Sequence, residues 1–131
     1  MIIDTSAVIA IALGEPSATA LRATIERAPN RIITSVSLLE AGIVLRARWG
    51  AGAVPLLYDL VDGLGIEVAD FAEAHAKIAI SAFARFGKGM KHRAQLNFGD
   101  CAVYAAAALS GEPILATGRD FSATDVTLIS Y

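Results

Sequence analysis

One cysteine, Cys101, is all the thiol that this 131-residue chain carries. That excludes an internal disulfide and a cysteine-based zinc site, and within an apolar stretch Cys101 reads as a small core residue. Long hydrophobic runs are also missing. The longest near the start, Ala7–Leu13, is too short to cross a bilayer and stops at Gly14-Glu15. Asp4 stands where a signal peptide would carry positive charge, so a cytoplasmic chain without membrane association is expected. There is no internal repeat, low-complexity tract or linker, and residues 1–131 read as one domain with room for a genuine core. Bulk positive charge is absent too. A formal net charge of −2 gives no overall electrostatic reason to bind nucleic acid. No Gly-x-Gly-x-x-Gly follows the first strand exit, which argues against a dinucleotide-binding protein.

What is present is a hydrophobic fraction of 55%, much of it alanine, which lets helices approach closely. Periodicity and stop signals then divide the chain. Met1–Asp4 suits a short buried strand. Helices are expected over Ala7–Leu13, Ser17–Ala28 with Pro16 leading in, Ser35–Gly50 and Ala53–Val61. Strands are expected at Arg31–Thr34, Gly65–Ala69, Pro113–Ala116 and Val126–Ile129. Asp70-Phe71-Ala72-Glu73 has the form of a capping box for a helix running to Phe86. A last helix starts after Asn97, the expected cap, and continues through the wholly apolar stretch Cys101–Leu109. Short strands alternating with helices predict an α/β fold in three layers, with a mainly parallel sheet of four to five strands.

In such sheets ligands bind outside the carboxyl ends of the strands. The acids therefore divide into two sets. Glu26, Asp59, Glu67 and Glu112 fall on amphipathic helices or in turns and read as solvated surface. Asp4 ends the first strand, Glu40 follows the second in the first turn of its helix, and Asp100 opens the helix before the fourth. Asp120 follows the fourth strand through Thr117-Gly118-Arg119, and Asp125 is close enough in sequence to serve instead. Each has a purely structural role open to it. Asp4 could cap a helix, Glu40 could close a box with Ser37, Asp100 could offset a helix dipole, and Asp120 or Asp125 could form a turn. All of these would have to hold at one edge of one sheet.

Carboxylates within about 4–6 Å of one another raise each other's pKa unless a cation intervenes. Oxygen ligands without cysteine or nearby histidine suit Mg²⁺ or Mn²⁺. Such an ion polarises a phosphodiester and eases the ionisation of water. Upstream of Asp100, Arg85–Arg93 holds four Lys/Arg and His92 with no acid, and Lys88, Lys91, His92 and Arg93 are candidate phosphate contacts on an otherwise solvated loop.

Taken together, Met1-Ile2-Ile3-Asp4-Thr5-Ser6-Ala7, Glu40 after its Thr-Ser strand exit, Leu96-Asn97-Phe98-Gly99-Asp100-Cys101 and Ala116-Thr117-Gly118-Arg119-Asp120-Phe121 resemble the PIN-domain ribonucleases. More closely, they resemble the VapC toxins of bacterial toxin–antitoxin (VapBC) systems, and the likeness spans essentially the whole chain. The resemblance implies a PIN-like fold, a Mg²⁺- or Mn²⁺-dependent endoribonuclease, a homodimer, and a VapB-type antitoxin whose C-terminal tail covers the active site. It implies metal ligation mainly by Asp4 and Asp100, with Glu40 and Asp120 acting through water or a second ion. Thr5 or Ser6 matches the family's polar residue and would contact a phosphate or a water. Two other readings use the same residues: a metal-dependent DNA nuclease or phosphatase, and a non-catalytic PIN-like binding module.

Overall fold

Three residues ahead of the first acid, Met1-Ile2-Ile3, are all buried, and the run supplies one of the two inner strands of the sheet. The computed structural model describes residues 1–131. Its strands are β1 (Ile2–Ile3), β2 (Ile32–Thr34), β3 (Glu67–Ala69) and β4 (Ile114–Leu115). Its α-helices are α1 (Thr5–Ala12), α2 (Ala18–Arg27), α3 (Ser35–Trp49), α4 (Ala53–Gly63), α5 (Glu73–Phe86) and α6 (Phe98–Ser110), with a 3-10 turn at Asp120–Ala123. The strand order is β3-β2-β1-β4, and every pairing is parallel. Ile2 stands opposite both Ile32 and Ile114, and Ile3 opposite Leu115.

Alternation along the strands separates two cores. Ile3, Ile33 and Leu115 face α1 to α4, packing with Val8, Leu21, Ile25, Leu45 and Leu57. Ile2 and Ile114 face α5 and α6, packing with Phe86, Val103 and Tyr104. Each of these isoleucines is essentially inaccessible, so truncating one to alanine should cost about 2–5 kcal/mol. Helix α6 is buried from Gly99 through Ala107, as its lack of a polar face requires, and ends where Gly111 turns left-handed at φ 71°. The expected three-layer α/β arrangement is therefore present, with the strand ends and the start of α6 meeting along one edge.

Three local expectations need correction. Helix α1 begins at Thr5, two residues early, because Asp4 is its cap. Helix α5 is not opened by a box on Asp70: Ala72 is the cap, and its N–H donates to Nδ1 of His75 at 3.1 Å. Val126–Ile129 is no fifth strand. It pairs with the sheet only where Leu128 meets Ile114, while Asp125, just before it, is tied by its side chain to α5 and α6.

Candidate active site

The edge where the parallel strands end is built by caps. At the end of β1, Asp4 accepts from the Ser6 N–H at 2.9 Å and from the Ser6 hydroxyl, which locks its carboxylate over the first turn of α1. The Ser6 hydroxyl in turn accepts from the Thr117 N–H at 3.0 Å, tying the first strand exit to the loop after β4. Thr34 caps α3, its Oγ1 accepting from the Ser37 N–H at 3.0 Å. Ser37 is thus inside the helix, and Glu40 lies in the second turn rather than the first. Glu40 is not bonded to a cap amide: its Oε2 accepts from the Thr5 hydroxyl at 2.7 Å. Asn97 and Asp100 cap α6 reciprocally, Asn97 Oδ1 accepting from the Asp100 N–H at 2.9 Å and Asp100 Oδ2 from the Asn97 N–H at 2.7 Å.

These devices aim Asp4, Glu40 and Asp100 into one cavity of ≈ 270 Å³, which Asp120, Thr5, Ser6 and Asn97 also line. Asp4 and Asp100 are buried, at 7% and 8% exposure. Burial raises the Asp100 pKa to about 6; the Asn97 amide works against it, and the charges of Asp4, Asp120 and Glu40 add to it. Asp4 is raised as well, by burial first, with Ser6 opposing and Glu40 adding. The only ion pairs in the molecule join the N-terminal amine to Glu112, Lys77 to Glu73 and Arg85 to Asp125. None of the four cavity carboxylates has a cationic partner.

The carboxylates share the cavity without closing on one point. No three His, Cys, Asp or Glu side chains stand near enough together to hold an ion as they lie. Mutual repulsion and the Thr5 hydroxyl are consistent with that spread. The donor set nonetheless fits a hard divalent cation: all oxygen, strongly anionic, partly desolvated and uncompensated.

Asp125 lies outside the cavity and is corrected as an alternative to Asp120. Its two oxygens accept from the Tyr104 hydroxyl at 2.7 Å and from Arg85 Nη2 at 2.8 Å, and both bonds lower its pKa. The basic loop does not line the cavity either. Lys88, Lys91 and Arg93 are exposed and free of ion pairs, whereas the His92 ring packs edge-on against Phe86 with centroids 4.9 Å apart. Sequence reasoning missed Asn97 as a lining residue, although its role as a cap put it there. Thr5 and Ser6, expected to contact a phosphate or a water, line the cavity, and their hydroxyls donate to Glu40 and Asp4. A cavity of ≈ 500 Å³ between α5 and α6 is lined only by apolar residues and carries no such chemistry.

Comparison with known proteins identifies the family and the fold. The PIN domain family matches residues 1–126. The ribonuclease VapC36 of Mycobacterium tuberculosis is 44% identical over 127 residues, covering 96% of this chain and 91% of its own. Ribonuclease VapC42 of the same species is 37% identical over 126 residues, covering 96% of each. Among solved structures, the sarcin–ricin-loop-cleaving toxin VapC20 of M. tuberculosis superposes with a TM-score of 0.80 at 18% identity, covering 99% of this chain and 98% of its own. A toxin–antitoxin complex from Klebsiella pneumoniae gives 0.72 at 14% identity, covering 99% and 97%.

Proposed function

Because the chain belongs to the PIN-domain family, among the VapC ribonucleases, we propose that it is the endoribonuclease toxin of a type II toxin–antitoxin pair, hydrolysing RNA phosphodiesters with a divalent metal. One observation carries the reading: four carboxylates, from the starts of α1 and α6, the second turn of α3 and the 3-10 turn after β4, share a cavity with no lysine or arginine to balance them. A purely structural set of acids would be expected to find cationic partners, as Asp125 does.

Asp4 and Asp100 would hold a Mg²⁺ or Mn²⁺ ion, with Glu40 and Asp120 contributing through water or a second ion. With a divalent ion held by these residues, the cavity would gain Lewis-acid polarisation of the scissile phosphate and easier ionisation of the attacking water. Ser6 and the Asn97 amide hold the Asp4 and Asp100 carboxylates in fixed directions, so little reorganisation is needed when substrate arrives. Thr5 does the same for Glu40. His92 is not required as a base; it and Lys88, Lys91 and Arg93 are assigned to RNA contacts outside the cavity, where the lysines and Arg93 attract the phosphate backbone. A VapB-type antitoxin covering the cavity and a homodimeric toxin complete the proposal, in keeping with the toxin–antitoxin complex among its structural neighbours. No helix of the chain is long and apolar enough to cross a membrane.

The test is incubation of purified protein with RNA, DNA and a small phosphate ester, each with Mg²⁺ or with EDTA. Cleavage of RNA alone, dependent on Mg²⁺, is expected. Cleavage of DNA but not RNA would overturn the substrate assignment, and no cleavage of any of the three by an intact fold would favour a binding module.

A further inference from the structure

Gly99 sits in the first turn of α6 with ordinary right-handed helical backbone, so no left-handed turn calls for glycine there. Glycine inside a helix is less favourable than alanine. Some other need must account for it, and the surroundings identify one. A Cβ at position 99 would lie 2.6 Å from Oε2 of Glu40 and 3.2 Å from both its Cδ and Oε1; these are its three nearest neighbours. The space that a side chain would take is filled by one object, a carboxylate of the acidic cavity. Gly118 repeats the arrangement in the loop after β4, where a Cβ would come 2.8 Å from Oδ2 of Asp120. At Gly87, in contrast, the obstacle includes the backbone of Phe83, and the missing side chain serves the fold.

We infer that Gly99 is a positioning residue for Glu40: its missing side chain lets the Glu40 carboxylate rest against the start of α6, within reach of the Thr5 hydroxyl and of the cavity that Asp100 opens onto. The inference rests on the metal-dependent reading of that cavity. Three features fix Glu40 in this account, namely the Thr34 cap that sets the phase of α3, the Thr5 hydroxyl at 2.7 Å, and the room left by Gly99. A methyl at 99 removes the third. Because the displaced atoms are the far end of a flexible side chain, the fold survives while the carboxylate moves.

The test compares Gly99→Ala in the parent protein and in a Glu40→Asp background, whose shorter side chain withdraws from the space at 99. Mn²⁺ affinity is read by calorimetry, RNA cleavage by kcat and KM, and stability by Tm. In the parent, Gly99→Ala should lower kcat about 10²-fold with KM for RNA little changed, the scale on which an ångström of misplacement is felt. It should weaken Mn²⁺ binding about tenfold, as disturbance of a ligand's support does. Its Tm should equal or exceed the parent's, since alanine favours the helix. In the Glu40→Asp background the same change should add no further loss. Unaltered Mn²⁺ binding and cleavage in Gly99→Ala, or equal losses in both backgrounds, would overturn the inference. If Gly99→Ala does not fold, Gly99→Ala/Glu40→Ala, with the obstacle removed, should; its failure to fold also overturns it. A parent that binds Mn²⁺ but cuts no RNA sinks the ribonuclease reading alone, leaving the Mn²⁺ comparison to judge Gly99. A parent that binds no Mn²⁺ and cuts no RNA sinks both.

Discussion

Asp100 stands in the first turn of helix α6 and Asp125 is bonded to Tyr104 one turn further along, and their environments have moved them in opposite directions. Asp125 is half-exposed, accepts from Arg85 and Tyr104, and is held below the usual carboxylate range by those two bonds. Asp100 is buried, has amide help from Asn97 and no cation, faces three other acids, and is raised to about 6. One carboxylate stabilises the native state by being paired. The other is held charged, or nearly so, at a cost that the fold alone does not explain. That contrast separates a latch from a site more sharply than any inventory of acids.

The largest effect expected from it is on activity. Asp100→Asn should abolish RNA cleavage, by about 10³-fold or more, the scale of losing a preorganised electrostatic group. Asp125→Asn should leave cleavage within about twofold, since surface substitutions far from a site perturb little, and lower Tm instead. Both are read by initial rates and thermal melts on the same preparations. Equal loss of cleavage in the two variants would erase the contrast.

Next in size is the pH dependence of the metal-free protein. Asp100, with Asp4, has a folded-state pKa raised above its unfolded value, so the native state holds more protons than the unfolded chain. Stability should therefore fall as pH rises from about 3.8 through about 6, by about 1–2 kcal/mol for Asp100 after allowance for solvent screening. Asp125 has the opposite sign: its contribution is present above the ordinary Asp range and is lost as acid takes pH down through its lowered folded value. Thermal melts from pH 3 to pH 8 in EDTA should show the higher-pH decline in the parent and a flatter one in Asp100→Asn, whose amide can still accept from Asn97. A decline unchanged in that variant would mean that Asp100 is not its source.

Smaller again is the contribution of the basic loop. Neutralising Lys91 and Arg93 together should lower the slope of log affinity against log salt by about 1.4, if both contact single-stranded phosphates. An unchanged slope would return the loop to the solvent. Smallest is Tyr104→Phe, which removes one of the two bonds to Asp125 and should cost about 1 kcal/mol in denaturant melts with cleavage unaffected.

How much of this was legible beforehand follows the reach of each interaction. The Asn97–Asp100 cap spans three residues and is readable from spacing alone, and it correctly gave Asp100 its place in α6. The β1 run was readable because buried parallel strands are apolar on both faces. Errors arose where two capping residues competed: α3 starts at Ser35 as expected, but Thr34 caps it and Glu40 falls in its second turn, and Ala72 with His75 rather than Asp70 opens α5. What could not be read locally was pairing across the chain. Asp120 and Asp125 are five residues apart and alike in composition, and the partner that separates them, Arg85, lies 40 residues from Asp125. The link from Thr5 to Glu40 spans 35 residues, and only folding makes Gly99 a neighbour of that same carboxylate.

The central claim is that Asp4, Glu40, Asp100 and Asp120 share a divalent cation. Crystals soaked in Mn²⁺ and measured at its absorption edge test it most directly. The account predicts anomalous density inside the cavity, between Asp4 and Asp100, that disappears in Asp100→Asn. An empty cavity in well-diffracting soaked crystals, or Mn²⁺ bound only at Asp125 or elsewhere on the surface, would contradict it.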